Sequence, residues 1–174
     1  MQSVLLTSES PLKLRVIKDF FPPDEYTITC IDSSSCGLPA QPVDCAFECA
    51  KIRLDRAKEI LHPKTFDYYV SIENGVETSD LTDVCSVIIE HNNISISSVG
   101  IIRYPIRFNH WEKLQTHPTV IKGSISGYDK TIGDIVHEEN PTSDPKNWVL
   151  TIHNLNREDQ IRSSIGCAMV QLCD

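Results

Sequence analysis

The stretch "QSVLLTSESPLKLRVIKDFF", residues 2–21, joins an apolar segment, a polar loop and an amphipathic segment. "QSVLL" is typical of a strand, and after the loop the apolar side chains recur every three to four positions, which is helical spacing. Pro11 suits the first turn of a helix, and the Pro-Pro pair that follows the stretch stops that helix. The stretch therefore predicts a strand at 2–6 followed by a helix at 11–21.

The same alternation continues along the chain. Apolar runs bounded by turn residues predict further strands at 26–31, 67–72, 84–90 and 94–102, the last two as a hairpin. Helical periodicity predicts further helices at 44–61 and 156–172, another beginning near Thr131, and a short one within "RYPIRFNHWEKLQ". This order indicates an α/β fold in which helices flank a mixed sheet. A chain of 174 residues has the size of one domain, here 1–174.

The charge balance limits the classes of partner. The chain has 16 basic and 24 acidic residues and a net charge of −8. Sequence-independent nucleic-acid binding needs a basic face, so we expect no nucleic-acid partner. A small phosphorylated ligand needs only a few local cations, so this class stays open. No window reaches the ~18 apolar residues of a membrane span, and the N-terminus lacks the basic segment of a secretory signal. We therefore expect a cytoplasmic protein without a membrane partner.

The cysteines are interpreted as packed thiols. There are seven of them, and an odd number without a secretory signal indicates reduced side chains. The alternative is structural zinc, which favours two closely spaced cysteine pairs, whereas only Cys45 and Cys49 form such a pair. We expect no stoichiometric zinc.

Two segments carry candidate phosphate ligands. The loop "TSESP" links a strand to a helix, so backbone N–H groups point at a ligand there, and Lys13 can reach a phosphate oxygen. Arg53 and Arg56 lie three residues apart on the long predicted helix. They could clamp phosphates, or they could pair with Asp55 and Glu59 as a solvated surface.

Glu73 is the candidate catalytic or metal-binding acid. It follows the apolar run "FDYYVSI" and precedes Asn74-Gly75, a pair typical of tight turns. This pattern predicts that Glu73 lies at the carboxyl end of a strand, where open α/β sheets bind ligands. The alternative is a solvated acid beside a turn.

Five short segments, in order, resemble the motifs of a known family. They are "SPLK", "CGLPAQP", "ECAKIRLDRAKEI", "YYVSIENGV" and "LNREDQI". Their order and spacing, over nearly the whole chain, resemble the inosine/xanthosine triphosphatase family, which is related to the Maf and inosine triphosphate pyrophosphatase folds. The resemblance implies a homodimer that hydrolyses nucleoside triphosphates, preferentially the deaminated purines ITP and XTP, with Mg²⁺ or Mn²⁺, and so cleanses the nucleotide pool.

The resemblance also implies roles for individual residues. By position, Ser8, Glu9 and Ser10 resemble the loop that holds the triphosphate, with Lys13 as its cation. It implies catalytic roles for Lys13 and Glu73, and it makes Glu73 the metal ligand.

Further positions complete the implied site. Gln41, Arg56 and Arg157 resemble substrate-binding residues. Ser35 stands where the family commonly has an acid, so one expected metal ligand is replaced. Asp32, in the same loop, is the candidate substitute.

A second class of function stays open. A fold does not by itself determine an activity, and a domain with this fold can serve as a binding module instead of an enzyme. The alternative is therefore a catalytically degenerate domain that binds a nucleotide or a protein.

Overall fold

The computed structural model has the predicted alternation of strands and helices. It describes residues 1–32, 36–91, 94–100 and 102–173. The strands are Gln2–Leu6 (β1), Tyr26–Cys30 (β2), Gln41–Pro42 (β3), Tyr68–Glu77 (β4), Thr82–His91 (β5), Ile94–Val99 (β6), Tyr104–Pro105 (β7), Thr119–Lys122 (β8) and Ile125–Tyr128 (β9). The helices are Pro11–Phe20 (α1), Ala46–Leu61 (α2), Phe108–Leu114 (α3), Ile132–Glu139 (α4), Trp148–His153 (α5) and Arg157–Cys173 (α6), and Pro145–Asn147 forms a 3-10 helix.

The main sheet combines parallel and antiparallel pairs. Its strands follow the order β2-β1-β4-β5-β6, and β7 pairs with β5. β1 is parallel to both β2 and β4, and Leu6 at its carboxyl end lies opposite Cys30 and Val70. β5 is antiparallel to β4, β6 and β7. The predicted α/β fold, with a mixed sheet flanked by helices, is confirmed.

Helices cover both faces of this sheet because side chains alternate along each strand. Val4 and Leu6 of β1 belong to an apolar cluster with residues of α1 and α6. Leu5, between them, packs instead with Ala57 of α2, and Ile88 of β5 packs with Leu54 of the same helix. The main core therefore lies between the sheet and the α1–α6 layer, and α2 closes the opposite face.

A smaller antiparallel sheet extends the far end of β4. Its order is β3-β9-β8, and a bridge between Val43 and Val76 joins it to β4. Val76 also belongs to a second apolar cluster with residues of α3, α4 and α5, among them the buried Trp148. This cluster forms one wall of the cleft described below. The β8–β9 hairpin is not predicted from the sequence, because its strands are only four residues each.

The predicted turn at Asn74-Gly75 is wrong, because β4 continues through both residues to Glu77. Gly75 is required at this position because a side chain would clash with the start of α2 and with β3. A Cβ atom at Gly75 would lie 2.8 Å from the Cβ of Ala46 and 3.1 Å from the carbonyl oxygen of Pro42. Because no side chain intervenes, the start of α2 packs directly against the strand.

The remaining predicted boundaries agree closely with the structure. β5 and β6 form the predicted hairpin, with residues 92–93 outside the described ranges, and β6 ends at Val99 rather than at 102. The helix expected near Thr131 is α4, and Thr131 and Asp134 form a reciprocal capping box at its start. No helix within the described ranges has the length and apolar character needed to cross a membrane.

Cys45 and Cys49 are packed side chains at the start of α2. Both are buried, and they contact Ile125 of the smaller sheet. Burial raises the pKa of the Cys49 thiol far above its usual range, and the neighbouring Cys45 raises it further. Thiolates are the form that binds zinc, so this environment disfavours a metal site. The absence of zinc stays a prediction.

Candidate functional site

Two adjoining cavities form a cleft where β1 ends and β4 continues. The first, of about 440 Å³, is lined mainly by polar and charged residues and is called the polar cavity here. The second, of about 330 Å³, includes Leu12, Trp148 and Ile161 and is called the apolar cavity. Four residues line both, namely Ser10, Lys13, Glu73 and Lys146.

The loop that follows β1 is anchored to the sheet behind it. The N–H of Thr7 donates to the carbonyl of Val70 at 3.0 Å. The Thr7 hydroxyl donates to Ser71 at 2.9 Å, and the Ser71 hydroxyl donates to the carbonyl of Ala50 in α2 at 2.7 Å. This chain of bonds fixes the position of the loop without using its exposed polar groups.

The amino terminus of α1 faces the cleft. Ser10 precedes the helix; its side chain accepts no capping hydrogen bond, and its own N–H donates to the hydroxyl of Ser8 at 3.2 Å. Ser8 and Glu9 line the polar cavity beside it. Pro11 has no N–H, so the first-turn donors that could meet an anion are the backbone N–H groups of Leu12 and Lys13, which the helix dipole supports.

Lys13 lies in the first turn of α1 and reaches across the cleft. Its Nζ donates to the carbonyl of Ile72 at 2.6 Å. Burial lowers the pKa of Lys13 from its ordinary value, Glu73 opposes this shift, and Arg53 adds to it. The predicted convergence of Ser8, Lys13 and Glu73 on one cleft is confirmed, because all three line the polar cavity.

Glu73 is a buried carboxylate and not a solvated acid beside a turn. It is 7% exposed, and its Oε2 accepts a hydrogen bond from Nε of Arg53 on α2. β1 ends at Leu6, which lies opposite Cys30, the last residue of β2, and opposite Val70 of β4, three residues before Glu73. The residue therefore lies just beyond the carboxyl ends of the parallel strands, although its own strand continues.

The carboxylates of the polar cavity are compatible with a divalent cation. Glu9 and Asp32 line this cavity together with Glu73, and Ser35 lies outside the described residues. Within those residues, no three His, Cys, Asp or Glu side chains are grouped closely enough to hold a metal by themselves. Mg²⁺ usually takes one or two carboxylates and completes its shell with phosphates and water. The available donors therefore fit a cation that arrives with a phosphorylated ligand.

Gln41 lines the apolar cavity and also supports a helix. Its side-chain oxygen accepts a hydrogen bond from the N–H of Ile132 at 3.1 Å, at the amino terminus of α4. It is buried, and within β3 it pairs with Tyr128 of β9.

Arg157 lines the apolar cavity as part of a buried ion pair. Its two terminal nitrogens donate to the carboxylate of Asp83 at 2.9 and 3.0 Å. Gln160 and Asn74 also donate to Asp83, and the guanidinium lies 5.7 Å from the ring centre of Trp148. Its Nε is buried and has no hydrogen-bond partner among the described residues. The pair ties α6 to β5 at the floor of the cavity.

Arg56 does not reach the cleft. It lines a separate cavity of about 370 Å³ with Asp55, Glu59 and other residues, and it pairs with Glu59 at 3.1 Å. Successive helical residues differ by about 100° around the axis, so a residue three positions from Arg53 is rotated by about 60° and lies nearly one turn further along. Arg53 therefore reaches Glu73. Arg56 pairs with Glu59 at the surface, as in the alternative interpretation that these arginines form a solvated ion-pair surface.

Lys146 is a charged residue of the cleft that the sequence pattern does not predict. It lies in the 3-10 helix beside α4 and lines both cavities. That helix packs closely on α4, since a Cβ at Gly133 would lie 1.9 Å from the carbonyl oxygen of Pro145. A single lysine in "SDPKNW" carries no local signal for this position.

Comparison with known proteins gives a structural neighbour. No protein-family model and no curated protein matches the chain. Among solved structures, the chain is similar to protein VC0702 from Vibrio cholerae, with a TM-score of 0.72 and 19% sequence identity. The match covers 100% of this chain and 96% of that one. At this identity the similarity concerns the fold.

Proposed function

We propose that the protein hydrolyses nucleoside triphosphates with Mg²⁺ or Mn²⁺. The observation that carries this proposal is the meeting of Lys13, Glu73 and the uncapped start of α1 in one cavity. A phosphoanhydride needs cationic groups and N–H donors around its oxygens, and it needs a carboxylate that can hold the accompanying metal. The five family-like segments contribute about half of the residues that line the two cavities of this cleft.

The two cavities suit the two halves of a nucleotide. The polar cavity offers cations and helix N–H groups for the phosphates. The apolar cavity offers the Trp148 ring, Leu12 and Ile161 for a base, and sites for small molecules commonly combine such apolar walls with a few polar groups. The preference for ITP and XTP is part of the proposal and derives from the resemblance.

Glu73 and Asp32 would hold the cation in this scheme. A bound divalent cation neutralises phosphate charge and activates water. Lys13 then contributes a fixed positive charge at the phosphates, and the loop before α1 orients them. A homodimer and a cytoplasmic location belong to the same proposal.

A direct assay tests the activity. Purified protein is incubated with ITP, XTP, ATP or GTP and with either metal, and both phosphate and pyrophosphate are measured. We expect turnover that is fastest with ITP or XTP. Glu73→Gln should abolish it while the protein stays folded by circular dichroism. Glu77→Gln, on the same strand, is the matched control and should keep full turnover.

One observation favours the alternative of a non-catalytic binding module. The carboxylate of Glu73 is already paired with Arg53, which reduces its availability to a metal. If every nucleotide and both metals give no product while nucleotide still binds by calorimetry, the hydrolase proposal is wrong and the binding module is correct.

A further inference from the structure

Arg53 and Glu73 form an ion pair inside the polar cavity. The side chains are 17% and 9% exposed, and both residues line the cavity. Water therefore screens the pair far less than a surface pair. Arg53 extends from α2, and Glu73 lies on β4, so the contact spans two elements that pack against each other.

Two cations, Lys13 and Arg53, lie close to the carboxylate of Glu73. The hydrogen bond of Lys13 goes to a backbone carbonyl, that of Ile72, at 2.6 Å. Arg53 is the cation that donates to the Glu73 carboxylate itself. Across the whole polar cavity, Lys13, Arg53 and Lys146 balance Glu9, Asp32 and Glu73. Lys13 and Arg53 are the cations next to Glu73, and an anion that enters there would meet both.

A guanidinium at Glu73 competes with a divalent cation for the same carboxylate. Like charges at short distance in a poorly screened site repel strongly. A metal ion alone should therefore bind weakly while Arg53 holds Glu73. Arginine is also well suited to phosphate, because its planar group can donate two parallel hydrogen bonds to oxygens.

We infer that Arg53 is a phosphate ligand that Glu73 holds in place in the nucleotide-free protein, and that the same pair suppresses binding of divalent cations in the absence of nucleotide. The inference deepens the proposed function and depends on its assignment of a triphosphate to this cavity. Arg56 has none of the features on which this inference rests. It lies on the same helix as Arg53, but it pairs with Glu59 and lines a different cavity.

The first test measures binding of Mn²⁺ alone by calorimetry and electron paramagnetic resonance. Arg53→Met removes the competing charge and keeps much of the aliphatic stem, so Mn²⁺ affinity should rise about tenfold. Arg56→Met is the matched control and should leave it unchanged. An unchanged or lower Mn²⁺ affinity in Arg53→Met contradicts the inference.

The second test uses inorganic tripolyphosphate in EDTA, without metal. Glu73→Gln releases Arg53, so tripolyphosphate affinity should rise about tenfold over the wild type. In the double variant Arg53→Met/Glu73→Gln this gain should disappear. The double variant leaves neither charge unpaired, so it addresses the case in which Arg53→Met alone fails to fold. Equal affinities in Glu73→Gln and the double variant would overturn the inference.

Neither test measures hydrolysis, so the two ideas can fail separately. If the protein has no triphosphatase activity but both binding results are as expected, Arg53 has the inferred role and the proposed reaction is wrong. If turnover occurs and the binding results are absent, the reaction is supported and the role of Arg53 is refuted.

Discussion

Lys13 is a residue whose environment differs from that of an ordinary surface lysine. It lies in the first turn of α1, and its ammonium donates to the carbonyl of Ile72 inside the cleft. Burial lowers its pKa, and the carboxylate of Glu73 partly restores it. A phosphate beside this ammonium would stabilise the charged form further. The proposed function accordingly places a phosphate beside this ammonium.

Substitution of Lys13 should reduce catalysis more than stability. Lys13→Ala removes charge stabilisation at the phosphates, so kcat/KM for ITP should fall on the order of a hundredfold. Lys13→Arg should restore only part of the rate, because a planar fork differs from an ammonium in reach and geometry. Steady-state kinetics measure both. Lys18→Ala, in the exposed last turn of the same helix, is the control. Equal rates for the two alanine variants would show that Lys13 behaves as an ordinary surface lysine.

Asp67 should make stability depend on pH in the acid range. Its carboxylate accepts hydrogen bonds from the N–H and hydroxyl of Ser3 at 2.6 and 2.7 Å, and these bonds hold its pKa below the ordinary 3.8. Because the folded pKa is the lower one, the contribution is complete above 3.8 and is lost as the pH falls through the folded value.

Urea denaturation between about pH 5 and pH 2 checks this expectation. The free energy of unfolding of the wild type should fall more steeply below about pH 4 than that of Asp67→Asn. Parallel curves for the two proteins would show that the Ser3 contact does not persist in solution.

At the level of elements, two glycines should respond to alanine with opposite signs. In β4, the Cβ of Gly75→Ala would meet the Cβ of Ala46 and the carbonyl of Pro42 at 2.8 and 3.1 Å. Overpacking of this kind typically costs about 1–3 kcal/mol of unfolding free energy. In α6, the new Cβ of Gly166→Ala would lie 3.9 Å from the ring of Phe20, an ordinary contact.

The α6 substitution should therefore stabilise the protein. Alanine replaces the most flexible residue in a helix interior and gains about 0.5–1 kcal/mol. Chemical denaturation of the two variants measures the difference. A stabilised Gly75→Ala would mean that the contact between β4 and the start of α2 is looser than the structure indicates.

For the whole molecule, the proposed function predicts stabilisation by a ligand. A ligand at about 100 times its Kd adds about 2.7 kcal/mol to the free energy of unfolding. For a chain of 174 residues this corresponds to an increase in Tm of roughly 5–11 °C. We expect this increase with Mg²⁺ and a non-hydrolysable ITP analogue in differential scanning calorimetry. Inosine, which lacks phosphates, is the control and should give little change, as should Mg²⁺ alone.

The sequence by itself determined the type of most elements in the main sheet and its helices. The spacing of apolar side chains is a local property, and it correctly located β1, α1, α2 and α6 to within two residues. The sequence also indicated Ser8, Lys13 and Glu73, through the loop after β1, the acid that follows an apolar run and the family resemblance. Their convergence follows from the rule that ligands lie at the carboxyl ends of parallel strands. The predicted turn at Asn74-Gly75 was wrong because the glycine allows the start of α2 to pack against β4. No local sequence pattern reveals such a contact.

Only the tertiary structure decided which charges meet. Arg53 and Arg56 have the same side chain and neighbouring positions, yet one pairs with Glu73 and the other with Glu59. The difference depends on which side of α2 faces β4, and therefore on the packing of segments about twenty residues apart. Lys146 reaches the cleft because the 3-10 helix docks on α4, more than seventy residues after Glu73. Local periodicity fixes the buried face of each element, but the contacts between distant faces follow from strand order and packing, which no single stretch of sequence contains.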